Sequence, residues 1–407
     1  MRIAFVSYEY PPETGGGGIG AYLECVAPAL AEVGHEVTVF CGGEATQKAR
    51  SGGLTVQRVG AKSENFDVGV CQSFAVHHQR KPFDLIEVTD FAAWGLEIQR
   101  MFPNLPSVVK LHTPAFVIDQ LHWRRPNIRQ RLRMGLGTLR QGHSWPHFHF
   151  RYGPGHLREM ETIRRAQGVA APTAAVLQRI AQEIPEAAAE ARVYPYPFLP
   201  PPVLLAAEAA GAGDVVTYVG RLEPRKGVLD LAAAIPAICR RHLDIRFRFI
   251  GRDMPSNVSG LSCSEVILQM AGPFRRQVEI LPAQPREEAL RLMAESSICV
   301  FPSHWESFGI VTLEAMAGAR AVVVTAGSGM AELVSDGQTG VIVRPNDPED
   351  LAAAITGLLG DPSLRRQLGL NACRRVVERF SLEAVVPTQL DHYQSLVTRR
   401  GTAAATH

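Results

Sequence analysis

At 407 residues the chain is longer than one ordinary hydrophobic core organises, so two domains are expected. Hydrophobic residues make up 46% and charged residues 20%, which excludes a disordered chain, and a net charge of +2 argues against a nucleic-acid partner for the protein as a whole. The seven cysteines are dispersed at 25, 41, 71, 239, 263, 299 and 373 with no Cys-x-x-Cys pair, which reads as reduced thiols in a cytosolic protein, not a disulfide framework or zinc knuckle.

The apolar run at residues 2–7 reads as a buried parallel strand and is too short for a signal peptide. A loop follows over 8–18. Apolar spacing at Tyr22, Leu23, Val26, Ala27 and Leu30 then gives 19–33 the stripe of an amphipathic helix. Gly34 stops that helix and 35–40 is the next strand, completing a βαβ unit. Further strands are expected at 54–59, 84–88 and 107–111, alternating with helices in the pattern of a doubly wound sheet. The loop matches a dinucleotide fingerprint as Gly15-x-Gly17-x-x-Gly20. It lies seven residues beyond the strand end at Ser7, however, whereas a dinucleotide turn follows its strand directly. What remains is a glycine loop that lets backbone approach a phosphate or a sugar.

Strand 107–111 ends in His112-Thr113-Pro114, and ligands of open α/β sheets bind outside the carboxyl ends of strands, so His112 is placed to face a cleft. From 120 to 158 the chain carries eight arginines and no acidic residue, among them Arg124, Arg125, Arg129 and Arg131, interleaved with Trp123, Trp145, Phe148, Phe150 and Tyr152. The pair His147-x-His149 lies in the same run without a neighbouring carboxylate or Cys, so no metal site is assigned there. Thr173 closes a short strand and is a candidate cap for the next helix. Residues 194–202, Tyr-Pro-Tyr-Pro-Phe-Leu-Pro-Pro-Pro, form a stiff extended segment and the best domain boundary.

The pattern then restarts. Strand Val215–Val219 leads into Gly220-Arg221-Leu222-Glu223-Pro224-Arg225-Lys226-Gly227 and a helix over 228–238. Arg221 and Lys226 are thereby two cations near a helix N-terminus at a sheet's carboxyl edge, an anion site. Strands at 246–250, 279–281, Ile298–Phe301 and 321–325 are each followed by a turn and a helix. Ser381 is a candidate N-cap for a last helix over 382–398, which Pro387 should kink.

The most informative stretch is 299–317. A buried strand ends at Phe301, Pro302 and Ser303 break it, and a helix begins near Phe308, Gly309 and Ile310. The unpaired N–H groups of that helix end suit a diphosphate. Glu306 lies in the approaching turn and Glu314 about one turn inside the helix. A carboxylate beside a phosphate would repel it, so both are read as accepting hydrogen bonds from sugar hydroxyls.

Together these motifs resemble the GT-B glycosyltransferases, and within them the large retaining family 4 (glycosyl transferases group 1). Glu306 and Glu314 reproduce that family's Glu-x7-Glu signature with Phe308-Gly309 inside it. Gly220-Arg221-Leu222 with Lys226-Gly227 is similar to its diphosphate-binding turn, and Gly17-Gly18-Ile19-Gly20 followed by Tyr22-Leu23 looks like its N-terminal glycine loop and first helix. The departures are Pro282 after the strand ending at Leu281, Gly318-Ala319-Arg320 after the motif helix, and Gln167 and Thr173 around the last N-domain strand.

The resemblance implies an α/β fold of two Rossmann-like doubly wound domains facing a cleft. Residues 1–200 would be the acceptor-side domain, with 382–407 packing back on it, and 203–381 the nucleotide-sugar domain. It implies that Arg221 and Lys226 hold the diphosphate, that Glu314 binds the ribose, and that Glu306 and His112 lie beside the donor sugar. His112, Arg221, Lys226 and Glu306 are therefore the expected catalytic group, with Gly17, Gly18, Phe308, Gly309, Ile310 and Glu314 binding the donor. Arg124, Arg125 and Arg129 are candidate acceptor contacts. No Asp-x-Asp occurs in the chain, so cationic side chains and a helix end are expected to act where a metal otherwise would, and no cofactor or metal is expected.

The expected activity is retaining transfer of a sugar from a UDP- or GDP-linked donor to a glycan, lipid-linked or small-molecule acceptor. The expected setting is the cytoplasm, with peripheral contact at the inner membrane face through the arginine-rich run and no nucleic acid as partner. The alternatives are a sugar-nucleotide epimerase of the same architecture and a catalytically silent nucleotide-sugar-binding subunit.

Overall fold

The structure is a computed structural model and describes residues 1–15, 17–123, 150–189, 191–205, 214–258 and 260–405. Two parallel-rich sheets with helices on both faces dominate it, in the GT-B arrangement. The first contains β1 (Arg2–Val6), β2 (Glu36–Gly43), β3 (Gln47–Ser51), β4 (Leu54–Gly60), β5 (Leu85–Thr89), β6 (Ser107–Lys110), β7 (Gly168–Ala171) and β8 (Ala191–Val193), in the order β3-β4-β2-β1-β5-β6-β7-β8. The second contains β9 (Val215–Val219), β10 (Arg246–Ile250), β11 (Val278–Leu281), β12 (Ile298–Phe301), β13 (Ala321–Thr325) and β14 (Val341–Val343), in the order β11-β10-β9-β12-β13-β14. Every pairing is parallel except β3 with β4.

The central strands read as unbroken apolar runs because helices cover both faces. All five residues of Ala321–Thr325 and all four of Ile298–Phe301 are buried. The edge strand β3, Gln-Lys-Ala-Arg-Ser, is exposed throughout. It lacks the apolar pattern that marks the central strands, and so escapes a reading based on hydrophobic runs.

Helix Gly18–Glu32 buries Tyr22, Leu23, Val26, Ala27 and Leu30, the stripe expected from their spacing. Thr173 caps helix Ala174–Ala181, its hydroxyl accepting from the Val176 N–H. The proline-rich segment 194–202 is extended but is not an exposed linker. Tyr194, Tyr196 and Phe198 are buried in it, and the Phe198 N–H donates to the Phe380 carbonyl at 2.6 Å.

The last helix, Leu382–Ala405, runs beyond the expected 398 and contains Pro387. It packs against helix Gly18–Glu32. Gln389 Nε2 donates to the Tyr22 hydroxyl at 2.7 Å, and the Tyr393 hydroxyl donates to the buried Glu87 carboxylate of β5. One hydrophobic cluster joins the first sheet to Phe308, Leu313 and Met330 of the C-terminal half, while a second cluster fills the far side of the second sheet. The two halves therefore share apolar packing beside the cleft. The run 124–149, with Arg124, Arg125, Arg129 and Arg131, lies outside the described residues.

Candidate active site

The carboxyl edges of the two sheets face one cavity of about 850 Å³. His112, Gly17 and Gly18 line it from the N-terminal half, and Arg221, Lys226, Glu306, Phe308, Gly309, Ile310 and Glu314 from the C-terminal half. Every candidate catalytic and donor-binding residue is thus gathered at one place.

Two turns of the second sheet build the cationic wall. After β9 the chain turns through Gly220, and a short 3₁₀ turn, Pro224–Lys226, ends at Gly227 with φ of 69°. A side chain at Gly227 would collide with the Pro302 carbonyl, so glycine is what lets this turn lie against the loop after β12. The two segments are then stitched together. The His304 N–H donates to the Arg225 carbonyl at 2.9 Å, Arg225 donates to the Trp305 carbonyl at 3.2 Å, and His304 Nε2 lies 2.7 Å from Asp230. Arg225 is also held by Glu223 at 2.7 Å, which makes it a strut; Arg221 reaches the same carboxylate at 3.3 Å, but its side chain is 55% exposed and lines the cavity.

Lys226 is not the isolated phosphate cation that its spacing suggests. Its ammonium bonds the Glu306 carboxylate, whose side chain is only 18% exposed. Burial pushes the Glu306 carboxyl up, but the charges of Lys226 and Arg225 and the Ser307 N–H outweigh it and hold the group below the usual range. A pair of this kind keeps a carboxylate ionised at the wall of the cavity, and its net charge is zero.

Gly309, in the left-handed region at φ of 87°, caps helix Ile310–Ala317. The Met330 side chain occupies the space a Cβ would need there. The first N–H groups of the helix open to the cavity, and Gly18 at the start of helix Gly18–Glu32 stands opposite Ile310. Two positive helix ends therefore meet across the gap. One turn inside the motif helix, Glu314 is bonded by Arg286 at 3.2 Å. Burial raises its carboxyl above the usual value, with Arg286 opposing. Arg286 begins helix Arg286–Ala294 just beyond β11, and it was missed in the sequence. The reasoning that found Lys226 (a cation at a helix start beyond a strand) would have found it too.

On the opposite wall the His112 backbone N–H donates to both oxygens of the buried Asp90 carboxylate at 3.0 Å. Its Nδ1 lies 2.7 Å from the Tyr196 hydroxyl. Nε2 is buried and has no protein partner. Burial, aided by the nearby Lys110 ammonium, lowers the imidazole to about 3, so His112 is neutral at physiological pH. Tyr196 was hidden in the sequence by the prolines around it. Phe308 is buried, its ring 4.6 Å from that of Tyr196, and it shapes the wall by packing. Among the described residues the N-terminal wall adds Glu9 and Glu24 to the cavity and no Lys or Arg, so the two walls carry opposite charge. No group of three or more His, Cys, Asp or Glu among the described residues could hold a metal ion.

The family model for glycosyl transferases group 1 matches residues 207–375, which carry this cationic wall and the Glu306–Glu314 motif, and the model for the glycosyl transferase 4-like domain matches 17–197. The chain belongs to the glycosyl transferases group 1 family. It is a glycosyltransferase by that membership. Glycogen synthase of Mycobacterium tuberculosis is 27% identical over 98% of this chain and 96% of its own length. D-inositol 3-phosphate glycosyltransferase of Nocardia farcinica is 33% identical over 39% of this chain and 35% of its own.

Among solved structures of the GT-B fold, sucrose-phosphate synthase from Thermosynechococcus elongatus superposes with a TM-score of 0.73 at 22% identity, covering 98% of this chain and 99% of that one. The Anabaena protein HepE, solved with UDP, superposes with a TM-score of 0.64 at 18% identity over 97% and 100% of the two chains.

Proposed function

We propose that this glycosyltransferase takes its sugar from a nucleotide-diphosphate donor, UDP- or GDP-linked, with retention at the anomeric carbon and without a metal. The acceptor is a glycan, a lipid-linked saccharide or a small molecule. The observation that carries this reading is the composition of the C-terminal wall: Arg221, the Lys226–Glu306 pair and the open start of helix Ile310–Ala317 lie on one side of the cavity, with Glu314 one turn deeper. A leaving nucleoside diphosphate gains negative charge on its phosphates as the glycosidic bond breaks, and fixed cations and helix N–H groups stabilise that charge. In this reading the diphosphate takes up part of the Lys226 ammonium, which already carries Glu306. Glu314 accepts from the ribose hydroxyls. Retention then follows from attack on the face the diphosphate leaves, with a phosphate oxygen taking the acceptor's proton. The arginine-rich run 120–158 follows β6 in sequence and is proposed to bring the protein to an anionic membrane face, where a lipid-linked acceptor would be met. No helix among the described residues is long and apolar enough to cross a membrane.

A thermal-shift panel of nucleotides and nucleotide sugars tests the donor. At 100 times its dissociation constant a ligand adds about 2.7 kcal/mol of stability, so one nucleoside diphosphate series should raise Tm by several degrees and the monophosphate should do much less. The matched donor is then turned over after exhaustive chelation, with the product's anomeric configuration read by NMR. No shift with any nucleoside diphosphate, an absolute need for added divalent metal, or an inverted product would refute the corresponding part. Consumption of donor without acceptor would favour an epimerase.

A further inference from the structure

Tyr196 enters the site from the proline-rich crossover. Its hydroxyl is 2.9 Å from the Leu111 carbonyl oxygen and 2.7 Å from His112 Nδ1. A phenol has one proton, and a carbonyl oxygen can only accept. The Leu111 contact commits the tyrosine proton, so an imidazole proton on Nδ1 must make the bond between His112 and Tyr196. A neutral imidazole has only that one proton, and Nε2 is left bare. Nε2 is the atom that has no partner in the protein, and its residue lines the cavity.

Tyr196 is well placed to impose this choice. It is 4% exposed, its ring is 5.1 Å from that of His112 and 4.6 Å from that of Phe308. It therefore ties the imidazole to the loop that carries Glu306. The Asp90 carboxylate is spent on the His112 backbone N–H and does not compete for the ring.

We propose that Tyr196 is a positioning residue that locks His112 in its Nδ1–H tautomer, so that Nε2 presents a lone pair to the cavity and accepts a hydrogen bond from a hydroxyl of the donor sugar. The identity of the bound group rests on the proposed function, whereas the tautomer does not. A group meeting Nε2 must bring its own proton. A sugar carboxylate or a phosphate oxygen at that point would face a lone pair and be rejected, so the donor sugar is neutral at the position His112 reads.

Histidine ring ¹⁵N spectra of the wild-type protein, recorded without any sugar nucleotide and assigned through His112→Gln, should show Nδ1 protonated and Nε2 bare. Tyr196→Phe keeps the ring and its contact with Phe308 but removes the accepting oxygen. It should move His112 toward the Nε2–H form and raise donor KM roughly tenfold, the scale of one misdirected neutral hydrogen bond to the bound sugar in ground state and transition state alike, with nucleoside diphosphate affinity within about twofold. Protonation at Nε2 in the wild type overturns the proposal. So does a Tyr196→Phe variant with an unchanged imidazole spectrum or an unchanged donor KM. Because the spectra need no donor, failure of every sugar nucleotide to bind would count against the proposed function and leave the tautomer assignment standing.

Discussion

The Lys226 ammonium and the Glu306 carboxylate meet from turns 80 residues apart in sequence, one after β9 and the other after β12. The pair holds the Glu306 carboxyl below its usual range in a largely enclosed place, and it puts a shared proton-rich contact on the wall proposed to receive the leaving phosphate. Replacing Lys226 or Arg221 by Ala should lower turnover on the order of a hundredfold, the scale of losing a transition-state charge stabiliser. Steady-state kinetics check this, and turnover within a few-fold of wild type in both variants would end the assignment.

The same pair predicts a pH signature. Glu306 is depressed in the folded state, so it contributes stability that is present above its unfolded pKa and lost as pH falls through the folded value. Lys226→Met removes the principal depressing charge and leaves burial in control, which should raise Glu306 above its unfolded value. The variant should then be about 3 kcal/mol less stable than wild type near pH 7, the cost of an unpaired buried charge. The deficit should shrink as pH falls through the variant's raised value, where its carboxyl protonates in the folded state, and go on shrinking until the wild-type carboxyl protonates below the usual carboxylate range. Melting curves across that range, repeated in a Glu306→Gln background, would show the pH dependence disappear if Glu306 is its source.

Glu314 and Glu306 should separate in kinetics. A ribose contact exists in ground state and transition state alike, so Glu314→Ala should weaken nucleoside diphosphate binding itself. Glu306→Ala should spare free nucleotide binding and damage transfer. Calorimetry on both variants decides, and equal losses of nucleotide affinity would refute the division of roles.

Glu332, from the C-terminal half, accepts from the Ala174 and Ala175 N–H groups at 2.8 and 2.7 Å, while the Thr173 hydroxyl donates to the Ser307 carbonyl at 2.8 Å. A carboxylate from one half thus caps a helix of the other, beside the loop that carries Glu306. Glu332→Ala should cost about 1 kcal/mol, as the loss of a helix N-terminal anion does. By loosening the hold between the halves it should also raise donor KM more than it lowers kcat. Denaturant titration and kinetics test both, and a variant unchanged in each would show that the contact holds nothing.

For the arginine-rich run, sedimentation with anionic vesicles should show binding that weakens with salt, about 1 kcal/mol for each basic side chain near the surface. Binding to neutral vesicles should be weak. Equal, negligible binding under all conditions, unchanged when Arg124, Arg125, Arg129 and Arg131 become Ser, would dismiss the membrane contact.

Much of this protein was legible without coordinates because its signals are local. Runs such as Ile298–Phe301 read as strands since burial on both faces permits only apolar residues, and a strand followed by a glycine turn and a helix start predicts where a cation or carboxylate will stand. Arg221, Lys226, Glu306, Glu314 and His112 could all be placed at carboxyl edges in this way, and the fold gathers them in one cavity. The exposed β3 and the short β8 carry no such apolar run, and the three residues Val-Ile-Val of β14 are too few to stand out, so none of the three was legible.

What only the tertiary structure decided are the meetings across long stretches of chain. The sequence holds Lys226 and Glu306, Arg286 and Glu314, Tyr196 and His112, and Glu332 and Ala174 as separate local features. Periodicity reports which face of an element is buried, but not which element covers it. Partner choice follows from how the two sheets pack around their shared apolar cluster. That is why a tyrosine in an apparent linker becomes the residue that sets the proton on the site's histidine.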